Sequence, residues 1–108
     1  MAVYVDSAKN PYGRMRMSHM VADSVAELLE MADRIGLDRR HFQASSHPHF
    51  DVSQEYRAKA VHSGAVEVDR KGLVRVMQRH RAAMRSDPTE MRAVKDAHAA
   101  SDRARRGG

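Results

Sequence analysis

Two histidines and an aspartate alternate in the run from residue 45 to residue 53, which reads Ser-Ser-His-Pro-His-Phe-Asp-Val-Ser. Successive side chains of an extended chain point to opposite faces, so His47, His49 and Asp51 would share one face. Pro48 favours this geometry, because proline biases the residue before it toward extended backbone. Ser53 is a typical N-cap, so a helix should begin directly after the run. The spacing therefore predicts a polar site of imidazole and carboxylate groups just before a helix.

Two more polar residues should reach the same place from other parts of the chain. Residues 2–6 are rich in β-branched and aromatic side chains, which predicts a short buried strand that ends on a carboxylate. A second short strand is expected at 41–43, and a long irregular connection joins the first strand to the first helix. Ligands of parallel α/β sheets bind beyond the carboxyl ends of the strands. We therefore predict one cluster at this edge, formed by Asp6, His19, His49 and Asp51.

Imidazole and carboxylate groups together allow two kinds of chemistry. His49, His19 and Asp6 suit a divalent metal such as Zn²⁺ or Mn²⁺, and three protein ligands would leave a position for an activated water. Without a metal, one histidine could act as a general base that a carboxylate orients. The structural alternative is that Asp51 only caps the following helix, that His47 and His49 are surface loop residues, and that Asp6 and His19 make structural hydrogen bonds.

Arginines near the same loops could hold an anionic ligand. Arg57 falls one turn into the helix that follows Ser53, and a helix N-terminus itself favours anions. Arg14 and Arg40 flank the neighbouring loops, and guanidinium groups bind phosphate and carboxylate strongly. The alternative is an ordinary solvated basic surface.

Capping residues and apolar periodicity predict the other helices and strands of the chain. Ser24 and Glu27 form a capping-box pattern, an apolar stripe follows at helical spacing, and Gly36 suits the left-handed position after a helix. The further elements expected are a helix at 54–62, a strand at 65–68, a helix capped by Asp69 and a helix over 88–105. This alternation predicts an α/β fold with a small three-stranded, mostly parallel sheet. Residues 1–86 would form one small domain, and residues 87–108 a basic Ala/Arg-rich helical extension with a frayed end.

The basic excess lies in the C-terminal part of the chain. Residues 1–68 hold eight Lys/Arg and nine Asp/Glu, whereas residues 69–108 hold eleven and five. Basic side chains of the last two helices could bind nucleic acid or an acidic protein surface, although this region has no stacking aromatics and no base-reading motif. The residues concerned are Lys71, Arg75, Arg79, Arg81 and Arg85. The C-terminal helix could also support an oligomer.

Composition narrows the class of protein further. The chain has no cysteine, which excludes disulfides and thiolate metal sites. No apolar run reaches the roughly 18 residues that a membrane span requires, and the N-terminus lacks the pattern of a signal peptide. We therefore expect a soluble cytoplasmic protein.

Several short patterns resemble the DUF4031 family of short, uncharacterised bacterial and phage proteins. The resemblance covers about residues 1–68. It rests on Val3-Tyr4-Val5-Asp6, Ser18-His19, Ala22-Asp23 with Glu27-Leu28, Gly36-Leu37, Phe42-Gln43, His49-Phe50-Asp51-Val52 and Gly64-Ala65-Val66. The chain departs from the family pattern at Ser7, Met17 and His41, where the family often has Asp, Trp and Trp. The resemblance implies that Asp6, His19, His49 and Asp51 are family-pattern positions, and it implies no activity.

These observations lead to two functional hypotheses. The first is a small domain that binds a polar or anionic ligand at the Asp/His cluster and acts as a metal-dependent or histidine-based hydrolase. The second is a non-enzymatic interaction module that uses its basic C-terminal helices.

Overall fold

The fold alternates short strands with four helices. The computed structural model describes residues 2–13 and 15–107. In chain order the elements are β1 (Val3–Val5), β2 (Asn10–Tyr12), β3 (Met15–Ala22), α1 (Val25–Ile35), a 3-10 turn (Arg39–His41), β4 (Phe50–Ser53), α2 (Gln54–His62), β5 (Val66–Glu67), α3 (Arg70–Ser86) and α4 (Pro88–Gly107). The α/β class expected from the sequence is confirmed.

The sheet is mixed and centred on β3, the longest strand. β1, β2 and β4 all pair with β3 in antiparallel fashion, and only β1 and β5 are parallel. Met20 pairs with both Val5 of β1 and Phe50 of β4, so these two strands lie on opposite sides of β3. Met17 likewise pairs with β2 and β4, which places β1 and β2 along the same side. The sheet therefore has five strands but is four strands wide.

The prediction of three mostly parallel strands is wrong, for two reasons. Residues 15–22 form the central strand although they contain few β-branched residues, because pairing on both sides satisfies their backbone. Residues 41–43 do not form a strand: a 3-10 turn ends at His41, and Gln43 makes one isolated bridge to His49. The second major strand is β4, whose residues 50–53 lie within the histidine run.

One face of the sheet carries the main core. Val5, Met20, Phe50 and Val52 are completely buried there against the apolar faces of α1 and α2. The ring of Phe50 meets that of Phe42 edge to face, with 5.8 Å between ring centroids. Since side chains alternate along a strand, the neighbours of these residues must point to the opposite face.

Helix starts follow the local signals in the sequence. Ser24 accepts a hydrogen bond from the Glu27 backbone N–H and donates one to the Glu27 carboxylate, and Gly36 ends α1 with a φ of 79°. Ser53 caps α2, and Asp69 caps α3 through the Gly72 N–H. These predicted helix boundaries are confirmed.

Helix α3 covers the second face of the sheet, and helix α4 packs beside it. Leu73 and Val76 of α3 pack on Val21. Helix α4 lies against α1, α3 and the 3-10 turn, where Ser101 is buried and its hydroxyl donates to the Phe42 carbonyl at 3.1 Å. The C-terminal helix thus packs on the body of the fold instead of projecting from it, while the division of the chain after residue 86 stays a prediction. None of the helices in residues 2–13 and 15–107 has the length and apolar character that a membrane crossing requires.

Candidate functional site

The register of the sheet brings the predicted site residues together. His19 on β3 lies directly opposite Asp51 on β4, on the face that points away from the main core. Asp6 follows β1, and its backbone N–H donates to the His19 carbonyl at 3.1 Å, which continues the β1–β3 ladder. Adjacent strands therefore place these three polar side chains side by side.

Asp6 and His19 form a tight pair. The Asp6 side chain is almost completely buried, and its two oxygens accept from the His19 backbone N–H at 2.8 Å and contact His19 Nδ1 at 2.7 Å. A carboxylate oxygen can only accept, so Nδ1 of the neutral ring carries the proton and Nε2 keeps a free lone pair. The His19 side chain is 35% exposed, and Nε2 is the ring nitrogen that Asp6 does not contact.

The His49 ring carries its proton on the same nitrogen as the His19 ring, Nδ1, but this nitrogen has a different partner. Its Nδ1 lies 2.6 Å from the His47 carbonyl oxygen, which is also an acceptor. The Nε2 atoms of His49 and His19 lie 3.5 Å and 4.0 Å from Asp51 Oδ1, and the other Asp51 oxygen accepts from the Gln43 amide at 2.9 Å. Two imidazole lone pairs and a carboxylate oxygen thus face one another.

Three acceptors in close proximity repel one another unless a proton or a cation lies between them. A bound cation, or a bound group that donates hydrogen bonds, would relieve this repulsion. A histidine whose other nitrogen is bound to a carboxylate or carbonyl is also the arrangement found in metal ligands. However, among residues 2–13 and 15–107 no group of three or more His, Asp or Glu side chains has the geometry of a metal site. Asp6 contacts His19 Nδ1, whereas the free lone pair of His19 is on Nε2. Asp6 and this lone pair therefore do not face a common point.

A cavity of about 200 Å³ opens next to the cluster on the second face of the sheet. His19, His47 and His49 supply imidazoles to its wall, and Leu73 and Met77 of α3 supply the apolar side. The space suits a water or a small substrate group beside the free Nε2 atoms.

His47 is a buried residue and not a surface loop residue. Its ring is 3% exposed, and its Nε2 lies 3.3 Å from Nδ1 of His80 on α3. No hydrogen-bond partner for its Nδ1 exists among the described residues. Burial, followed by the proximity of His80, Arg81 and His49, lowers the pKa of His47 to about 4. The turn that delivers this ring includes Ser46, whose φ of 60° is a left-handed conformation rare for a residue with a Cβ.

Sequence reasoning missed two residues that support His47. His80 is 1% exposed, and its Nε2 lies 2.6 Å from the carboxylate of Glu90 on α4. The same Glu90 oxygen accepts from the Val25 backbone N–H at the start of α1, at 2.8 Å. The sequence contained one indication of this arrangement: His80 lies on the apolar stripe of α3 and should therefore be buried. A buried histidine needs polar partners.

The three arginines predicted to bind anions have different surroundings. Arg57 is largely buried, donating from Nε to the Asp6 carbonyl at 2.8 Å and from Nη1 to Glu67 at 3.0 Å. Arg40 is exposed at the rim of a cleft that Asp51 also lines. Arg14 lies outside the described residues.

The basic residues of α3 lie mostly on its exposed face. Arg79 pairs with Asp23 at 3.2 Å, and Arg81 donates to the Ser46 carbonyl at 3.3 Å. The other three of the five residues predicted to bind nucleic acid, which are Lys71, Arg75 and Arg85, are exposed. Nucleic-acid binding by this face stays a prediction.

The fold and the site define a small α/β domain with a histidine–carboxylate cluster on one face of a mixed sheet. The family model described as "Protein of unknown function (DUF4031)" matches residues 3–80. The chain belongs to this family, as the resemblance of its short patterns suggested. Neither the curated proteins nor the solved structures contain a match to the chain.

Proposed function

We propose that the protein is a small acid–base enzyme in which His19 acts as the general base and Asp6 orients it. The observation that carries this proposal is the 2.7 Å contact between the buried Asp6 carboxylate and His19 Nδ1, which leaves Nε2 of a partly exposed ring free to accept a proton. A buried carboxylate behind an imidazole selects one tautomer and stabilises the imidazolium that forms during proton transfer. The adjacent cavity provides room for the reacting group.

Hydrolysis is the reaction class that this arrangement fits best. His19 Nε2 takes a proton from water as the water oxygen bonds to the electrophilic carbon or phosphorus of the substrate. The resulting Nε2–H then protonates the leaving group, which restores the neutral ring. Asp51 Oδ1 lies 3.5 Å from His49 Nε2 and 4.0 Å from His19 Nε2, so Asp51 and His49 can hold the water or a polar group of the substrate.

Replacing Asp6 with asparagine should move the proton of His19 from Nδ1 to Nε2. The asparagine oxygen can accept from the His19 backbone N–H only if its NH₂ group faces Nδ1, which must then become an acceptor. Long-range ¹H–¹⁵N spectra of the imidazole nitrogens measure this tautomer directly. The matched control is Asp33→Asn, which removes an exposed carboxylate paired with Arg39 and should leave the His19 signals unchanged. Unchanged His19 signals in the Asp6 variant would refute the proposed role of Asp6.

Replacing His19 with glutamine should lower hydrolysis about 10²–10⁴-fold, the usual contribution of a general base. The assay uses a panel of p-nitrophenyl esters and phosphate esters, with and without a chelator. His62→Gln changes an exposed histidine at the end of α2 and should retain full activity. Equal activity of both variants would rule out His19 as the base. Activity that a chelator abolishes and Zn²⁺ or Mn²⁺ restores would favour the metal-dependent alternative.

A further inference from the structure

Asp51 also lines a second, larger cleft. Its volume is about 530 Å³, within the usual range for small-molecule sites. Gln43 and Asp51 form the end nearest the histidine cluster, and their side chains are hydrogen-bonded to each other. The cleft and the cluster therefore share one carboxylate.

Apart from Ser45, the rest of the polar lining of the cleft is basic. Arg40 and His41 come from the 3-10 turn, and His98 and Arg105 come from α4. Among the described residues that line it, Asp51 is the only acidic one, so their net charge is positive even when both imidazoles are neutral. Both oxygens of Asp51 are turned toward Gln43 and the histidines, which reduces repulsion of an anion at the arginine end.

One of the two guanidinium groups is held in place by the backbone. Arg105 Nη1 donates to the carbonyls of Arg40 and Phe42, at 3.0 Å and 3.2 Å. These bonds join the last turns of α4 to the 3-10 turn and leave the remaining N–H groups of Arg105 available. The Arg40 side chain is exposed, and its guanidinium group makes no hydrogen bond or ion pair to any described part of the chain. A fixed donor thus lies beside an unengaged one, which suits an oxyanion.

We infer that this cleft binds the anionic group, phosphate or carboxylate, of a small substrate whose reacting bond lies at the histidine cluster. The part of this inference that concerns the reacting bond rests on the proposed function, because it names the class of substrate for the histidine cluster. Binding energy from the Arg40–Arg105 end would position the substrate at Asp51 and the free Nε2 atoms. The arginine that matters most for the anion is then Arg40 and not Arg57, whose Nε and Nη1 donate to Asp6 and Glu67.

Titration of the full-length protein with inorganic phosphate, and separately with malonate, tests this inference by amide chemical shifts at constant ionic strength. We expect saturable shifts in residues 40–45, 98 and 105, and the stronger of the two ligands identifies the anion class. Arg40→Gln should weaken that binding at least 10-fold without loss of stability, because its guanidinium has no structural partner. Arg92→Gln, an exposed arginine of α4 outside the cleft, is the matched control and should bind like the parent protein.

Three results would overturn the inference: no saturable shifts, equal shifts with sodium chloride, or unchanged affinity in Arg40→Gln. The His19 tautomer, measured on the same sample, separates the two proposals. Cleft binding together with a His19 ring protonated at Nε2 would refute the proposed base while keeping the anion site. An Nδ1-protonated His19 without cleft binding would refute the anion site alone.

Discussion

Replacing Glu90 with alanine should lower the free energy of unfolding by about 2–5 kcal/mol. One Glu90 oxygen accepts from the Val25 N–H and from His80 Nε2, at 2.8 Å and 2.6 Å. Alanine removes both bonds and leaves two polar groups in a largely buried place, and each unsatisfied group costs about 1–3 kcal/mol. The loss should be large because this one side chain joins α1, α3 and α4. Urea denaturation followed by circular dichroism measures the change.

Two further variants control the Glu90 experiment. Glu55→Ala removes an exposed glutamate that pairs with Lys59 at 3.7 Å, and it should change the stability by less than about 0.5 kcal/mol. Glu90→Gln retains an acceptor for Val25 and should cost less than the alanine variant. If Glu90→Ala and Glu55→Ala are equally stable, the buried bonds of Glu90 do not stabilise the fold.

Lowering the pH from 7 to 4 should destabilise the protein through His47 by up to about 3 kcal/mol. The pKa of this ring is about 4 in the folded protein, against 6.5 in the unfolded chain. Between these values the unfolded state binds more protons, so stability falls as the pH falls. The stabilisation is complete above about pH 6.5 and is lost progressively down to about pH 4. One pKa unit corresponds to about 1.4 kcal/mol, which sets the upper limit.

Because other groups also titrate between pH 6.5 and pH 4, the test compares the slopes of the unfolding free energy against pH. His80, Arg81 and His49 surround the ring, and all three disfavour its protonated form. His47→Gln should flatten the dependence of unfolding free energy on pH between 6.5 and 4, by up to about 1.4 kcal/mol per pH unit. His62→Gln, which changes an exposed histidine, should leave the slope of the parent protein. Parallel curves for the parent and His47→Gln would show that His47 does not titrate abnormally.

The members of the candidate cluster could be chosen from the sequence, but their roles could not. Asp6, His19, His49 and Asp51 do meet on one face. They meet because β3 and β4 pair in antiparallel register, whereas the prediction relied on the carboxyl edge of a parallel sheet. The distinction between Asp6 behind the His19 ring and Asp51 in front of it depends on distances between strands that no spacing in the chain encodes.

His47 shows a second limit of prediction from the sequence. The structural alternative placed it in a surface loop, yet it is buried against His80 of α3. The partners of this ring come from residues more than 30 positions away, so nothing in the local pattern could reveal them. The same holds for Glu90, whose bond to Val25 joins residues 65 positions apart.

The amino-acid sequence alone was enough to predict the helix boundaries, the α/β class and the family. Helix caps are bonds between residues three positions apart, as in Ser24 with Glu27, so their energetics are contained in short segments. The pairing of the strands, the burial of His47 and the position of Asp51 at both the histidine cluster and the larger cleft depended on the tertiary structure. These features follow from contacts between distant segments, and the energy of such contacts exists only once the chain has folded.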